Sequence, residues 1–319
     1  MQAPRRVRDL GVVVGTLPTG PLNAITDVPG VLVGQTTISE GDLQTGVTAI
    51  VPDSYATGLP AAVAVGNGYG KLVGTTQVDE LGVIETPILL TGTLSVFRAA
   101  DALLTWLLDR NPTATSRNPV VGETNDGFLS DIRRRPITPE HVHAALDSAS
   151  TGLPLEGCVG AGTGTTALGF KAGIGTASRV VDAGTVGALV QSNFSGTLTV
   201  RGTPIPAEPI DADGNSCMIV VGTDLPLDAR QLGRLARRAI FALARVGSDY
   251  APGSGDYAIA FSMGGTAAYA DRDLRSPFQA VTESVEEALL NSLTMATTTT
   301  GFRGNSARAV PHDLIRRAT

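Results

Sequence analysis

In the tract Asp211-Ala212-Asp213-Gly214-Asn215-Ser216-Cys217-Met218-Ile219-Val220-Val221-Gly222, a lone hydroxyl stands between a turn and a strand. Two acids, a glycine and an asparagine are a turn signal, and the apolar run after Ser216 is short enough for a core strand. Cutting the Asn215–Ser216 bond would leave Ser216 with a free amine beside its own hydroxyl, combining general base and nucleophile in one residue. A terminal amine has an ordinary pKa of ~7.7 to 8, so a useful fraction is neutral at physiological pH. No histidine is then needed. The same hydroxyl could make the cut by attacking the carbonyl of residue 215, an N-to-O acyl shift favoured where the turn strains that peptide; water then releases the ester. By position alone a serine here is a turn or capping residue. The catalytic reading comes from Asn215, the turn before it and the proline-rich, acidic segment 202–214, a linker that would let a new chain end separate.

Other groups could complete such a site. Asn193, at the end of a predicted strand, is either a turn residue or an amide donor to a developing oxyanion. Ser254 and Asp256 share one side if their segment is extended, where they could orient a terminal ammonium; a glycine turn with a capping aspartate is the plainer account. Lys171 lies alone in a glycine-rich, mostly uncharged neighbourhood, where desolvation would suit it to polarise an amide. The tract 122–131 gathers carboxylates and an amide around a turn. Its Glu123, Asn125, Asp126 and Phe128 are candidate substrate contacts, and a solvated turn fits equally well. Gly162-Thr163-Gly164-Thr165-Thr166-Ala167 matches a dinucleotide-binding pattern but runs into further glycines, which are costly in the helix that pattern must open.

The elements that must hold these groups read as strands at 31–38, 47–51, 61–65 and 83–90, a helix at 96–109 and another from Pro139. Strands follow at 186–191, 197–201, 216–222 and 257–263. A helix opens at Pro226 and Asp228 with an apolar stripe through Leu232, Leu235, Ala236, Ala239, Ile240 and Leu243, and one more runs over 282–295. Strands and helices in this order make a layered α+β sandwich, not a regular parallel βαβ array. Hydrophobic residues are 42% and charged residues 17% of 319, with 38 glycines, a globular composition with a small-residue interior. Net charge is -6 and no basic run with interleaved aromatics occurs, which argues against nucleic acid. Cys158 and Cys217 are far apart, and with His141, His143 and His312 they show no metal-ligand spacing, so no metal or organic cofactor is expected. Reduced core thiols fit a cytoplasmic protein. Arg5-Arg6 does not open an export signal, because Arg8, Asp9 and Gly11 break the apolar run after it, and no stretch approaches a membrane span.

Taken together, the segments 23–31, 122–131, 160–175, 190–194, 215–224 and 253–261 resemble the DmpA-type aminopeptidases, the S58 or P1 peptidase family, whose members include β-aminopeptidases and a nylon-oligomer hydrolase. The resemblance implies one catalytic domain, a four-layer αββα sandwich similar to N-terminal nucleophile hydrolases in layers but not in connectivity. It implies self-cleavage into chains 1–215 and 216–319 and assembly into tetramers or larger rings. It also implies Ser216 as nucleophile, Asn193 as oxyanion donor and Ser254 with Asp256 as the group that positions the serine amine. Lys171 matches a lysine of the nylon-oligomer branch. Several relatives carry glutamate where Asp256 stands, so this carboxylate reaches about one methylene less. The implied activity is release of N-terminal residues from short peptides or amino-acid amides through a seryl ester. A self-processing acyltransferase of ornithine acetyltransferase type and a non-catalytic ligand-binding protein on the same fold are the alternatives.

Overall fold

Period-two alternation of apolar side chains lets two sheets pack face to face while each turns its other face to helices. The computed structural model describes residues 2–182, 184–208, 210, 215–265 and 267–318. One sheet, in the order β1-β2-β6-β7-β4, joins β1 (Val31–Glu40), β2 (Leu43–Pro52), β4 (Leu72–Val73), β6 (Ile88–Gly92) and β7 (Val120–Thr124). The other joins β3 (Leu59–Gly68), β5 (Val83–Ile84), β10 (Ile174–Val181), β11 (Gly184–Asn193), β14 (Ser216–Thr223) and β15 (Gly255–Ser262) in the order β10-β11-β14-β15-β3-β5. Three ribbons are added: β8 (Thr166–Ala167) with β9 (Phe170–Lys171), β12 (Thr199–Val200) with β13 (Thr203–Pro204), and β16 (Thr299–Thr300) with β17 (Ser306–Ala307). Helices α2 (Val96–Arg110) and α3 (Pro139–Asp147) cover the first sheet, and α4 (Ala229–Arg245) and α5 (Arg275–Thr294) the second; α1 (Thr75–Leu81) and α6 (His312–Arg317) are short.

The core is accordingly layered. Ile50, Ile88, Leu90 and Val120 meet Leu189, Met218, Val220 and Ile259 between the sheets. The alternate residues Ala188, Cys217, Ile219, Val221 and Ala258 pack under α4 and α5 with Leu232, Leu235, Leu289 and Leu293. Val47, Ala49, Leu89 and Val121 pack under α2 and α3. This is the αββα arrangement expected.

Three boundaries differ from the sequence reading. The apolar run 83–90 is two strands in different sheets: Pro87 and the buried Thr86 separate β5 from β6, and the chain crosses from one layer to the other between them. Helix α5 begins at Arg275, because a 3-10 turn at Asp271–Leu274 leads into it. Within 197–201 only β12 is paired, in a hairpin with β13. Gly162–Ala167 ends in the β8 ribbon and opens no helix, and α4 starts at the Asp228 cap, whose carboxylate accepts from Gln231 N at 2.7 Å. The turn at 211–214 and Pro209 of the linker lie outside the described residues.

Candidate active site

Ser216 is the first residue of β14, a strand buried along its whole length. Two neighbours fix what lies beside it. Asn193 at the end of the antiparallel β11 is its register partner on one side, and Gly255 at the start of the parallel β15 on the other. Three strand ends therefore converge on one point. Ser216 is 3% exposed, and its Oγ donates to Asn215 O at 2.6 Å. That carbonyl also accepts from Gly255 N at 3.1 Å, so the peptide carbonyl before the serine is held from two sides.

Asn193 shares its sheet face with Gln191, Ser216 with Met218, and both point between the sheets. Thr166 N donates to Asn193 Oδ1 at 3.1 Å, which fixes the side-chain flip so that Nδ2 is the donor end. Ser254 and Asp256 do lie on one side of their extended segment: Ser254 Oγ donates to Asp256 Oδ1 at 2.9 Å, and both residues are buried. They sit on the helix-covered face, where Asp256 is the register partner of Cys217. Burial pushes the Asp256 carboxyl up, against hydrogen bonds from Asn67 and Ser254 that favour its charge. The same burial and the Asp256 charge push the Cys217 thiol well up, which makes it inert.

The tract 122–131 enters from the other sheet. Gly122 on β7 faces β14 so closely that a Cβ there would lie 2.4 Å from Met218 Cε. The Glu123 carboxylate rests against Gly70: a Cβ on Gly70 would lie 3.1 Å from Glu123 Oε1 and 3.2 Å from Gly255 Cα, so the carboxylate lies close to the strand beside Ser216. Glu123 Oε1 accepts from Lys71 N at 3.0 Å and faces Lys71 Nζ at 3.5 Å, while Oε2 has no hydrogen-bond partner. Burial raises the Glu123 carboxyl in spite of the Lys71 ammonium. Asp126 is 2% exposed, and neither of its oxygens meets a partner in good geometry. Burial pushes it up to about 7, against the pull of the Thr45 hydroxyl and the Lys171 ammonium.

Other predicted contacts are placed less directly. Asn125 turns back on its own loop, its Oδ1 accepting from Gly127 N at 2.9 Å. Phe128 is half-buried and lines a cavity of about 370 Å³ with Pro206, Ala207, Ile210 and Arg308. A second cavity, of about 310 Å³, is lined by Asn215, Thr166, Phe194 and Asp249 and by the same linker residues. Lys171 is fully buried, and its Nζ donates to Gly162 O and Ala172 O and not to Ser216. Burial lowers its pKa, while the Cys158 thiol and Asp126 act the other way. Its ribbon carries Thr166, so Lys171 supports the Asn193 amide from behind.

Residues 67–71 were missed by sequence reasoning. Asn67 bonds Asp256, Tyr69 N donates to Ser254 O at 3.1 Å, and Lys71 bonds Glu123, so one segment joins both carboxylate groups. Its only sequence signal is Gly66-Asn67-Gly68-Tyr69-Gly70, a glycine-rich turn with no acid or nucleophile.

Comparison with known proteins agrees with this geometry. The profile of Peptidase family S58 matches residues 23–307. The beta-peptidyl aminopeptidase BapA of Sphingosinicella xenopeptidilytica is 40% identical over 98% of this chain and 90% of its own. Among solved structures, a Burkholderia sp. beta-aminopeptidase superposes with a TM-score of 0.92 at 37% identity, covering 98% of both chains. The L-aminopeptidase D-Ala-esterase/amidase of Ochrobactrum anthropi, a prototype of the serine aminopeptidases with a variant Ntn-hydrolase fold, superposes with a TM-score of 0.89 at 37% identity, covering 98% of this chain and 97% of its own. The layered sheets, the serine-headed strand and these matches together place the chain in peptidase family S58, as a serine aminopeptidase on that variant of the Ntn-hydrolase fold.

Proposed function

We propose that Ser216 is the nucleophile and that it becomes so by cutting its own peptide bond to Asn215. The observation that carries this reading is the Ser216 hydroxyl lying 2.6 Å from the Asn215 carbonyl oxygen at a point where three strand ends meet. In processing, Oγ bonds to the carbonyl carbon of Asn215, the C–N bond breaks, and the nitrogen keeps its proton and gains that of Oγ. Water then hydrolyses the ester, leaving a carboxylate on Asn215 and a free amine on Ser216.

In turnover the Ser216 amine takes the Oγ proton as Oγ attacks the scissile carbonyl, and the Asn193 amide receives the developing oxyanion. The ammonium so formed protonates the leaving amine. Water, activated by the same amine, releases the acyl group. Ser254 and Asp256 hold the charged form of that amine from the neighbouring strand end. Glu123, with the partnerless oxygens of Asp126 nearby in the same tract, receives the substrate ammonium; Asn125 and Phe128 border the substrate. Lys171 acts through the β8–β9 ribbon. The substrates are short peptides, amides or esters, with N-terminal β-amino acids among them, as the names of the relatives suggest. Processed chains 1–215 and 216–319 assemble into oligomers, and two unpaired cysteines suit a reducing cytoplasm.

Replacing Ser216 tests the proposal. Purified wild type gives two bands on a denaturing gel and hydrolyses β-alanyl or L-alanyl p-nitroanilide. Ser216→Ala gives one band and no turnover. A Ser216→Ala protein that is still cut or still hydrolyses its substrate would overturn it.

A further inference from the structure

We infer that Asn67 is a positioning residue for the amine of Ser216, acting through Asp256. The inference rests on the proposed role of Ser216 and adds a residue to its machinery. Strand β3 runs antiparallel to β15, with Tyr257 opposite Val65 and Asp256 opposite Asn67, so β3 carries one extra residue, Gly66, at this point. Without that bulge Gly66 would stand opposite Asp256 and no side chain would reach the carboxylate. A Cβ on Gly66 would lie 2.9 Å from Ile240 Cγ2 and 3.3 Å from Asp256 Cβ, which explains a glycine in the bulge.

The bulge delivers a donor to the one carboxylate oxygen that Ser254 leaves open. Asn67 Nδ2 donates to Asp256 Oδ2 at 3.0 Å while Ser254 Oγ donates to Oδ1 at 2.9 Å. The Asn67 amide is itself oriented by Tyr250 O at 3.1 Å, an acceptor that rules out the flipped amide. Asp256 is thereby gripped at both oxygens in a buried position. Titratable groups facing it are the Cys217 thiol on β14, Asp249 and the Tyr250 phenol on the loop after α4, and Tyr257 on its own strand. None of them is a cation. Until the Ser216 ammonium forms beside it, the charge of Asp256 is favoured by Asn67, Ser254 and the Cys217 backbone N–H, and losing Asn67 favours the protonated acid.

The test compares Asn67→Ala with the isosteric Asn67→Asp, each as full-length protein, in kcat/KM against pH. Both variants self-cleave and melt within a few degrees of wild type, but kcat/KM falls at the acid end of the profile in Asn67→Ala, where Asp256 is more readily protonated, and further in Asn67→Asp, where two carboxylates share a proton. At pH 6.5 this reads as roughly a tenfold loss in Asn67→Ala that shrinks at pH 9. A uniform loss at every pH, or no loss, overturns the inference and leaves the nucleophile untouched. If Asn67→Ala does not fold, the Asn67→Asp profile decides alone. Turnover by Ser216→Ala in the same assay would instead overturn the underlying reading.

Discussion

Two of the clusters of buried charge among the described residues are built on opposite rules. Under α5, Arg179 is fully buried and bonds Glu283 at 3.1 Å and Glu287 at 2.6 Å, while Arg8 grips Glu287 through two bonds at 2.6 and 2.8 Å. Asn23 adds a further bond to Glu287 at 2.6 Å. Burial alone would raise the Glu287 carboxyl, but Arg8, Arg179 and Asn23 outweigh it and hold it low. Around the serine, Glu123, Asp126 and Asp256 are just as buried yet all raised, and Glu123 and Asp126 keep oxygens with no partner. The fully paired carboxylates under α5 belong to the scaffold. One left wanting a partner is held ready for something that arrives.

The comparison breaks or sharpens under substitution, and the scaffold should give the largest effect. Arg179→Ala removes the fully buried cation shared by two glutamates and should cost about 3 to 5 kcal/mol of unfolding free energy, read by urea denaturation, with turnover per folded molecule unchanged. A loss under 1 kcal/mol would mean that the two clusters are not different in kind.

Asp126→Asn should act in the opposite sense and depend on pH. Its folded pKa lies above the unfolded value, so the folded state holds the proton more tightly, and stability from this group is greatest below 3.8 and lost as pH rises to about 7. Removing the ionisable group should therefore stabilise the protein at pH 8 by up to about 4 kcal/mol, with the gain fading towards pH 4. An equal change at both pH values would contradict the assignment.

Glu123→Gln should be smaller still and fall on function. Losing the charge for a substrate ammonium should lower kcat/KM tenfold to a hundredfold, roughly 1.4 to 2.7 kcal/mol, chiefly through KM, with the melting temperature nearly unchanged. An unchanged KM would place the ammonium elsewhere.

How much of this was legible in the sequence depends on whether the signal was local. The strand after Ser216 announces itself by an apolar run behind a turn, and Ser254 and Asp256 by their spacing of two. The α4 stripe and the Asp228 cap read equally well. Asn67 did not, because its partner is 189 positions away and is reached only through a one-residue bulge. The run 83–90 misled because apolar composition is the same in both sheets and only Thr86-Pro87 marks the crossing. The start of α5 was hidden by Pro277, which reads as a helix breaker but stands in the first turn, where a missing N–H costs nothing. Lys171 read as a catalytic candidate from its glycine-rich, mostly uncharged surroundings, and it is fully buried. Its hydrogen bonds to Gly162 O and Ala172 O tie it to the ribbon behind Asn193.

The most direct measurement is the mass spectrum of the active enzyme under denaturing conditions, with the amino-terminal residue of each fragment sequenced. The account predicts two polypeptides, the smaller beginning with Ser216 and bearing an unblocked amine, in a preparation whose specific activity rises with the fraction cut. A fully active preparation made only of unbroken 319-residue chains would contradict it, for the alcohol would then have no amine to take its proton.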